Sequence, residues 1–332
     1  MRRVISTITA ILVASATIAQ TTIHIAPNGS DANPGTVSSP MLTLQAAIKK
    51  VVSTTAKDTA FVDVAPGDYY IRSSCRITEA NSRPIVVRAS DGRARFIGGL
   101  RITGWKRSNA NTFKVYIPEA IKKGLVFEQL YIKGERATLA RTPNKGFYKV
   151  RQVTEKVGDS IKYSKNNVLL RISGKELEHL KNVQMGKESK PKVSFHHKWC
   201  NSKLYIDSID KRNHSFTTRC RWLSVFNSIV IGTPYYLYDY ANALDTIGEW
   251  HMDYKSGYLS YIAHKNENPN DAECFIPTTE KWIEIVGKEN GIIENISFKN
   301  IEFFVSRFNL PKNGYRQSQA AENTGAAIEL SF

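Results

Sequence analysis

The sequence predicts an all-β protein with coil-like stacks of short parallel strands at both ends of the chain, one N-terminal cap helix, and a β-rich insertion between. Three observations predict it. Short apolar strands broken by Gly and Asp recur between residues 61 and 102 at intervals too tight to hold helices, the texture of rungs in a coil. Longer, aromatic-rich strands such as Tyr235-Tyr236-Leu237-Tyr238 follow, and after Gly291 the rung texture returns. The 332 residues, 42% apolar and 23% charged, exclude disorder and collagen and exceed one small domain.

Residues 1–19 are predicted to form a secretory signal cleaved after Ala19. Arg2 and Arg3 precede an apolar run that closes on Thr17-Ile18-Ala19, too short and too rich in Thr and Ser for a span. Lys and Arg total 46 against 30 Asp and Glu, a net +16 that favours acidic polymers and survives removal of the signal. Export argues against nucleic acid as a partner. No later stretch approaches the roughly 20 apolar residues of a membrane span. The expected location is outside the cytoplasm: secreted, periplasmic or at the cell surface.

Residues 23–27 read as a strand and 28–40 as a long turn-rich loop. Thr43 is a plausible N-cap for a helix over 43–53, since Leu44, Ala47, Ile48, Val51 and Val52 share one face with Lys49 and Lys50 opposite. Short strands follow at 61–64, 69–71, 85–88, 96–97 and 100–102. Within the insertion, Ser173-Gly174-Lys175-Glu176 reads as a capping box ahead of Leu177 and Leu180. Residues 203–210 and 214–219 flank a Lys211-Arg212-Asn213 tip. Cys200 and Cys220 then lie at the open end of a hairpin, as a disulfide or as two buried thiols. Cys75 and Cys274 have no assigned pairing.

In the last segment Ile296, Phe298, Ile301 and Phe303 share a face, with the phase slipping by one at Asn300, where a coil turns its corner. A polar loop over 306–324 leads to Ala326, Ile328, Leu330 and Phe332, the alternating face of a further rung. An uncovered rung exposes apolar surface and unpaired backbone, so the expectation is the N-terminal part of a longer protein, truncated at its C-terminal side. The expected segments are 1–19 signal, 20–124 rungs with cap helix, 125–285 insertion and 286–332 resumed rungs.

Thr22-Ile-His-Ile-Ala-Pro-Asn-Gly-Ser-Asp-Ala-Asn-Pro-Gly-Thr36, with Leu44-Gln-Ala-Ala-Ile48 and Val62-Asp-Val-Ala-Pro-Gly-Asp-Tyr-Tyr-Ile71, resembles the opening of secreted right-handed parallel β-helix proteins of the pectate-lyase-like superfamily. Leu130-Tyr-Ile-Lys-Gly-Glu-Arg-Ala-Thr-Leu-Ala-Arg-Thr-Pro-Asn144, Leu244-Asp-Thr-Ile-Gly-Glu-Trp-His-Met-Asp253 and Gly314-Tyr-Arg-Gln-Ser-Gln-Ala-Ala321 narrow the likeness. Together they resemble glycoside hydrolase family 141, whose members act as fucosidases and xylanases on plant cell-wall polymers. The resemblance implies a right-handed coil of pectin-lyase type, a polysaccharide or oligosaccharide substrate and a monomer in full-length form. It also implies that the catalytic carboxylates lie in rungs beyond Phe332, leaving this chain inactive alone. His251-Met252 departs from the Tyr-Leu usual after Gly-Glu-Trp.

Glycoside hydrolysis takes two carboxyls about 5 to 5.5 Å apart for retention or 6.5 to 9.5 Å for inversion. Glu329 is a weak candidate, pointing outward between Ile328 and Leu330, with Glu322 near it in the preceding loop; a solvated face is the competing account. Asp245, Glu249 and Asp253 around Trp250 fit a carbohydrate platform less well than a strand-turn-strand with turns at Gly248 and Gly257. His196 and His197, ahead of Cys200, face opposite ways on a strand and cannot easily share an ion. Arg136, Arg141 and Asn144 suit a sugar or carboxylate site, or equally a salt-bridged corner. The loop residues Arg307, Asn309, Tyr315, Arg316, Gln317 and Gln319 suit hydroxyl contacts and are the first expectation for substrate binding. No metal and no cofactor is expected, because no phosphate loop, serine triad or calcium-ligand cluster is present. The alternatives are a lyase on acidic pectin and a non-catalytic carbohydrate-binding protein.

Overall fold

The computed structural model describes residues 21–78, 81, 83–89, 92–156, 168–183, 185, 190–220, 229–288, 291–316 and 325–331. The expected signal segment therefore lies outside the described residues. Strands dominate and helices are few.

Three sheets are wholly parallel and take their strands from both ends of the chain. The first runs Thr22–Ile25, Ala60–Val64, Ile85–Ala89, Ile296–Lys299. Its alternating residues stack in register, so that Ile23, Val62, Val87 and Phe298 form one inward column. The second runs Gly67–Tyr70, Ala94–Ile97, Ile301–Phe304. Its column is aromatic, with the Phe96 ring 5.2 Å from Tyr69 and 5.8 Å from Phe303. The third runs Cys75–Ile77, Ile283–Val286, Ile328–Ser331. Period-two alternation makes each sheet half apolar, and one core takes all three inner faces. Asn295 and Asn300, at φ +56° and +58°, bracket Ile296–Lys299. Asn tolerates the left-handed region. The corner at Asn300 lets Ile296, Phe298, Ile301 and Phe303 all pack on the core despite the slip in phase.

The cap helix spans Leu44–Val52, with the Thr43 hydroxyl accepting from the Ala46 amide at 3.2 Å. Leu44, Ala47, Ile48 and Val51 are buried. Asp31 ties the preceding loop to this start, accepting from the Thr43 amide and hydroxyl, each at 2.8 Å. Gly29 is required there, since a β-carbon would meet the Met41 carbonyl oxygen at 2.2 Å.

Residues 99–277, with Tyr315–Arg316, supply the remaining sheets, which are antiparallel or mixed. One pairs Glu135–Arg136, Tyr131–Ile132, Cys274–Pro277 and Gly99–Arg101. A second pairs Thr138–Leu139, Glu249–Asp253, Tyr258–Ile262, Thr112–Tyr116 and Lys106–Arg107. The third is nine-stranded and joins Arg141–Thr142, Pro234–Tyr238, Lys192–His196 and Asn201–Asp210 to the strands beyond, with Tyr315–Arg316 on its flank. The chain as a whole is thus mostly β with mixed sheets, not one uninterrupted coil.

Several local expectations change. Leu100 and Arg101 belong to the strand Gly99–Arg101, antiparallel to Cys274–Pro277, and residues 100–102 are not a coil rung, because Gly98 and Gly99 let the backbone turn against Val305 and Ile276. The capping box does not form. Ser173 remains in its strand and Gly174 heads a 3-10 helix, Lys175–Asn182, with no side-chain cap. Glu176 instead accepts from the Tyr235 hydroxyl at 3.3 Å, while Leu177 and Leu180 are buried. The hairpin tip at 211–213 is held by Asp210, which accepts from the Arg212 and Asn213 amides. Val168 stands opposite Cys220, whose side chain is outside the described residues. Cys75 and Cys274 are buried thiols, both pushed up to about 12 by burial, which makes them poor nucleophiles.

Arg95 fastens the parallel sheets to the middle of the chain. Its side chain is 7% exposed and forks onto Asp68, at 2.7 Å, and onto Glu273, at 2.8 and 2.9 Å. Asp68 lies on the neighbouring parallel strand and Glu273 beside Cys274–Pro277. The planar guanidinium suits this double bidentate geometry.

Candidate functional site

The site follows from period-two alternation in the nine-stranded sheet. Val193, Phe195, Leu204, Tyr235 and Leu237 point into a core. The residues between them, Lys192, Ser194, His196, Lys203, Tyr205, Tyr236 and Tyr238, therefore share the other face. Register sets them in rows across the strands. Arg141, Tyr238, Lys192 and Tyr205 form one row; Tyr236, Ser194, Lys203 and Tyr315 form the next. Above these rows lies an open cavity of about 610 Å³. Arg136, Thr138, Asn201 and Phe308 complete its walls, with Glu128 and Gln129 on one side.

Arg141 is positioned before any ligand arrives. It donates from Nε to the Pro143 carbonyl at 3.0 Å and from Nη2 to the Gly146 carbonyl at 2.7 Å, and its guanidinium carbon lies 3.9 Å from the Tyr236 ring centre. This stacking fixes the Tyr236 ring as a wall. Phe308 meets Tyr315 edge to face at 6.0 Å.

Beneath the rows is a buried charge cluster. Lys192 Nζ donates to Asp239 and lies 3.2 Å from Glu128. His251 Nδ1 is 3.6 Å from Asp239 Oδ1. Burial alone would raise the Asp239 carboxyl, but Lys192 and His251 together hold it well below the usual carboxylate range. Burial would lower the Lys192 ammonium, yet Asp239 and Glu128 keep it raised and charged. Burial, and then the cations Arg141 and Lys203, lower the His196 imidazole.

Residues 306–310 cross from the parallel sheets to this site. The Phe308 amide donates to Gln129 Oε1 at 3.0 Å, and Gln129 Nε2 donates back to the Phe308 carbonyl. The Leu310 amide donates to Glu128 at 3.0 Å and the Tyr205 hydroxyl to the Leu310 carbonyl at 2.8 Å.

The residues singled out in the sequence separate clearly. Arg136, Arg141 and Tyr315 come together in the cavity. Asn144 does not join them; its amide donates to Asp245 at 2.7 Å and Thr246 at 3.1 Å, closing a surface loop. Arg307 turns to Glu280 at 3.0 Å and Asn309 to the Val126 carbonyl at 2.8 Å, so both hold the crossing in place. The Arg316 side chain and residues Gln317, Gln319 and Glu322 lie outside the described residues. Glu329 stands on the third parallel sheet, in register with Glu284, and Lys281 bridges the two at 2.8 and 3.4 Å. It does not line the cavity.

Glu249 is buried and accepts from the amides of Arg141, Asp245 and Thr246, its carboxyl raised by burial. Asp253 accepts from the amides of Lys255 and Ser256, and Trp250 is fully buried against Phe127. That is the strand-turn-strand, with Gly248 and Gly257 at positive φ. His196 packs on Phe147 at 4.5 Å while His197 meets Ser202 at 2.8 Å, so the pair diverges. Sequence reasoning missed Lys203, Tyr236 and the cluster of Lys192, Glu128 and Asp239. Alternation in Tyr235-Tyr236-Leu237-Tyr238 carries a signal for Tyr236.

The site belongs to a mostly β protein with an open, polar and aromatic cavity against a mixed sheet. No family model and no curated protein matches the chain. Among solved structures, a protein described as a glycoside hydrolase superposes with a TM-score of 0.73 at 22% identity over 90% of this chain. The alignment takes in 53% of that protein, so the chain spans about half its length, and the likeness is one of fold. The complex structure of XylC with xylose aligns at a TM-score of 0.38 and 14% identity, over 85% of this chain and 35% of its own, too distant to support an argument.

Proposed function

We propose that the cavity over the rows of Tyr236 and Arg141 binds carbohydrate, and that the chain belongs to a secreted, carbohydrate-active protein of glycoside hydrolase type acting on plant cell-wall polysaccharide. The observation that carries this is the wall chemistry. Tyr236, Tyr315 and Phe308 offer aromatic surface beside Asn201, Thr138 and Arg136. A sugar ring needs that combination, an apolar face for its C–H groups and polar groups for its hydroxyls. The fold likeness to a glycoside hydrolase supports the same reading. We further propose that the three parallel sheets are successive faces of a right-handed parallel β-helix, supported by their in-register columns and shared core. Export is proposed from the order of basic, apolar and small residues in 1–19.

No hydrolytic step is assigned to this cavity. Glu128 is its only carboxylate among the described residues, it is held by Lys192, and a single acid cannot serve both roles in glycoside hydrolysis. The reading is therefore one of glycan binding. Calorimetric titration with neutral and acidic cell-wall oligosaccharides tests it. Saturable binding that Tyr236→Ala weakens at least tenfold supports it; no binding across both classes, or binding indifferent to Tyr236→Ala, overturns it.

A further inference from the structure

We propose that the sugar recognised in this cavity is acidic, carrying a uronate carboxylate that meets Arg136 and Lys203. The inference rests on the glycan-binding reading and adds the charge of the ligand. Three cations, Arg136, Arg141 and Lys203, line the cavity against one carboxylate, Glu128. That carboxylate is engaged by the Lys192 ammonium at 3.2 Å and the Leu310 amide at 3.0 Å, and although Lys192 also serves Asp239, the cations still outnumber the carboxylates around the cavity. Arg141 donates to two backbone carbonyls, which engage two of its N–H groups without cancelling its charge.

The register makes the placement specific. Lys203 stands across from Ser194 on one side and Tyr315 on the other, in the same row as Tyr236. A sugar against Tyr236 or Tyr315 thus has an ammonium beside its ring. Lys203 is half-buried in this row, where a positive charge is less screened than at an open surface. Arg136 lines the same cavity with a fork suited to a planar carboxylate. The lowered His196 imidazole, for which Arg141 and Lys203 are causes after burial, reports the same positive potential. A neutral glycan would leave that potential unused, whereas a carboxylate matches it.

The test compares galacturonate and glucuronate oligosaccharides with their carboxyl-reduced counterparts, titrated into the whole chain by calorimetry at low and high salt. The expected result is at least tenfold tighter binding of a uronate oligomer than of its reduced form, with the difference shrinking as salt rises. Lys203→Gln and Arg136→Gln should each remove most of that preference, and Lys203→Arg should restore it. Equal binding of charged and reduced forms, both lost in Tyr236→Ala, overturns the acidic-sugar inference and leaves the glycan reading standing. Failure of every oligosaccharide to bind overturns the glycan reading itself.

Discussion

At Lys192 one ammonium serves two carboxylates away from water, and both depend on it. Replacing it with Met leaves Asp239 and Glu128 buried without a counter-charge, a change that costs about 3 to 5 kcal/mol for a buried pair. Chemical denaturation of Lys192→Met should show that loss, and adding Asp239→Asn should recover part of it. Asp239 is held below its ordinary range, so its contribution is present above the unfolded value and is lost as pH falls through the folded one. The face that Lys192 occupies was readable, since Val193 and Phe195 alternate with it. Its partners were not, because Glu128 sits in a loop and Asp239 just past the strand Pro234–Tyr238, and no local pattern links them to Lys192. Tyr236 was half legible: alternation puts it opposite Tyr235 and Leu237, but only register sets it beside Ser194, and only the fold brings the Arg141 guanidinium from the next row onto its ring.

Among the elements, the cap helix was the most legible, because cap, apolar stripe and polar face all lie within ten residues. Thr43→Ala should cost about 1 kcal/mol, read as a lower melting temperature, since it removes the Ala46 contact and one bond from Asp31. The 3-10 helix after Gly174 shows the limit of a motif: Ser173 was claimed by its strand and Glu176 by Tyr235, so the capping residues had better partners. The Arg95 fork was not legible, for one acid comes from the neighbouring parallel strand and the other from the residue before Cys274–Pro277, far along the chain. Arg95 holds the Glu273 carboxyl below its ordinary 4.5. A depressed carboxyl contributes stability above the unfolded value that fades as pH falls through the folded one. Thermal melts between pH 6 and pH 3 should therefore show the wild type losing stability below about pH 4.5, and Arg95→Leu, already weaker at neutral pH, losing less of it there.

Over the whole molecule, period-two alternation and the corner at Asn300 made the rung texture at both ends readable, and the structure pairs those ends with each other in parallel. The middle was read as β-rich, but its sheet order was hidden, since antiparallel neighbours such as Gly99–Arg101 and Cys274–Pro277 are far apart in sequence. The strand Ile328–Ser331 forms as expected and leaves Ile328 37% and Leu330 63% exposed on a sheet edge. Such an edge invites pairing with another chain. Ile328→Lys with Leu330→Lys should reduce concentration-dependent self-association in sedimentation velocity while leaving oligosaccharide binding unchanged. The central claim is that sugar binds where the rows of the nine-stranded sheet meet residues 308–315. The most direct measurement is a crystal structure of the chain soaked with a uronate oligosaccharide. Density for a sugar ring against Tyr236 or Tyr315 with its carboxylate toward Lys203 or Arg136 is the predicted result; a cavity empty of sugar, or sugar bound along Glu284 and Glu329 instead, would contradict it.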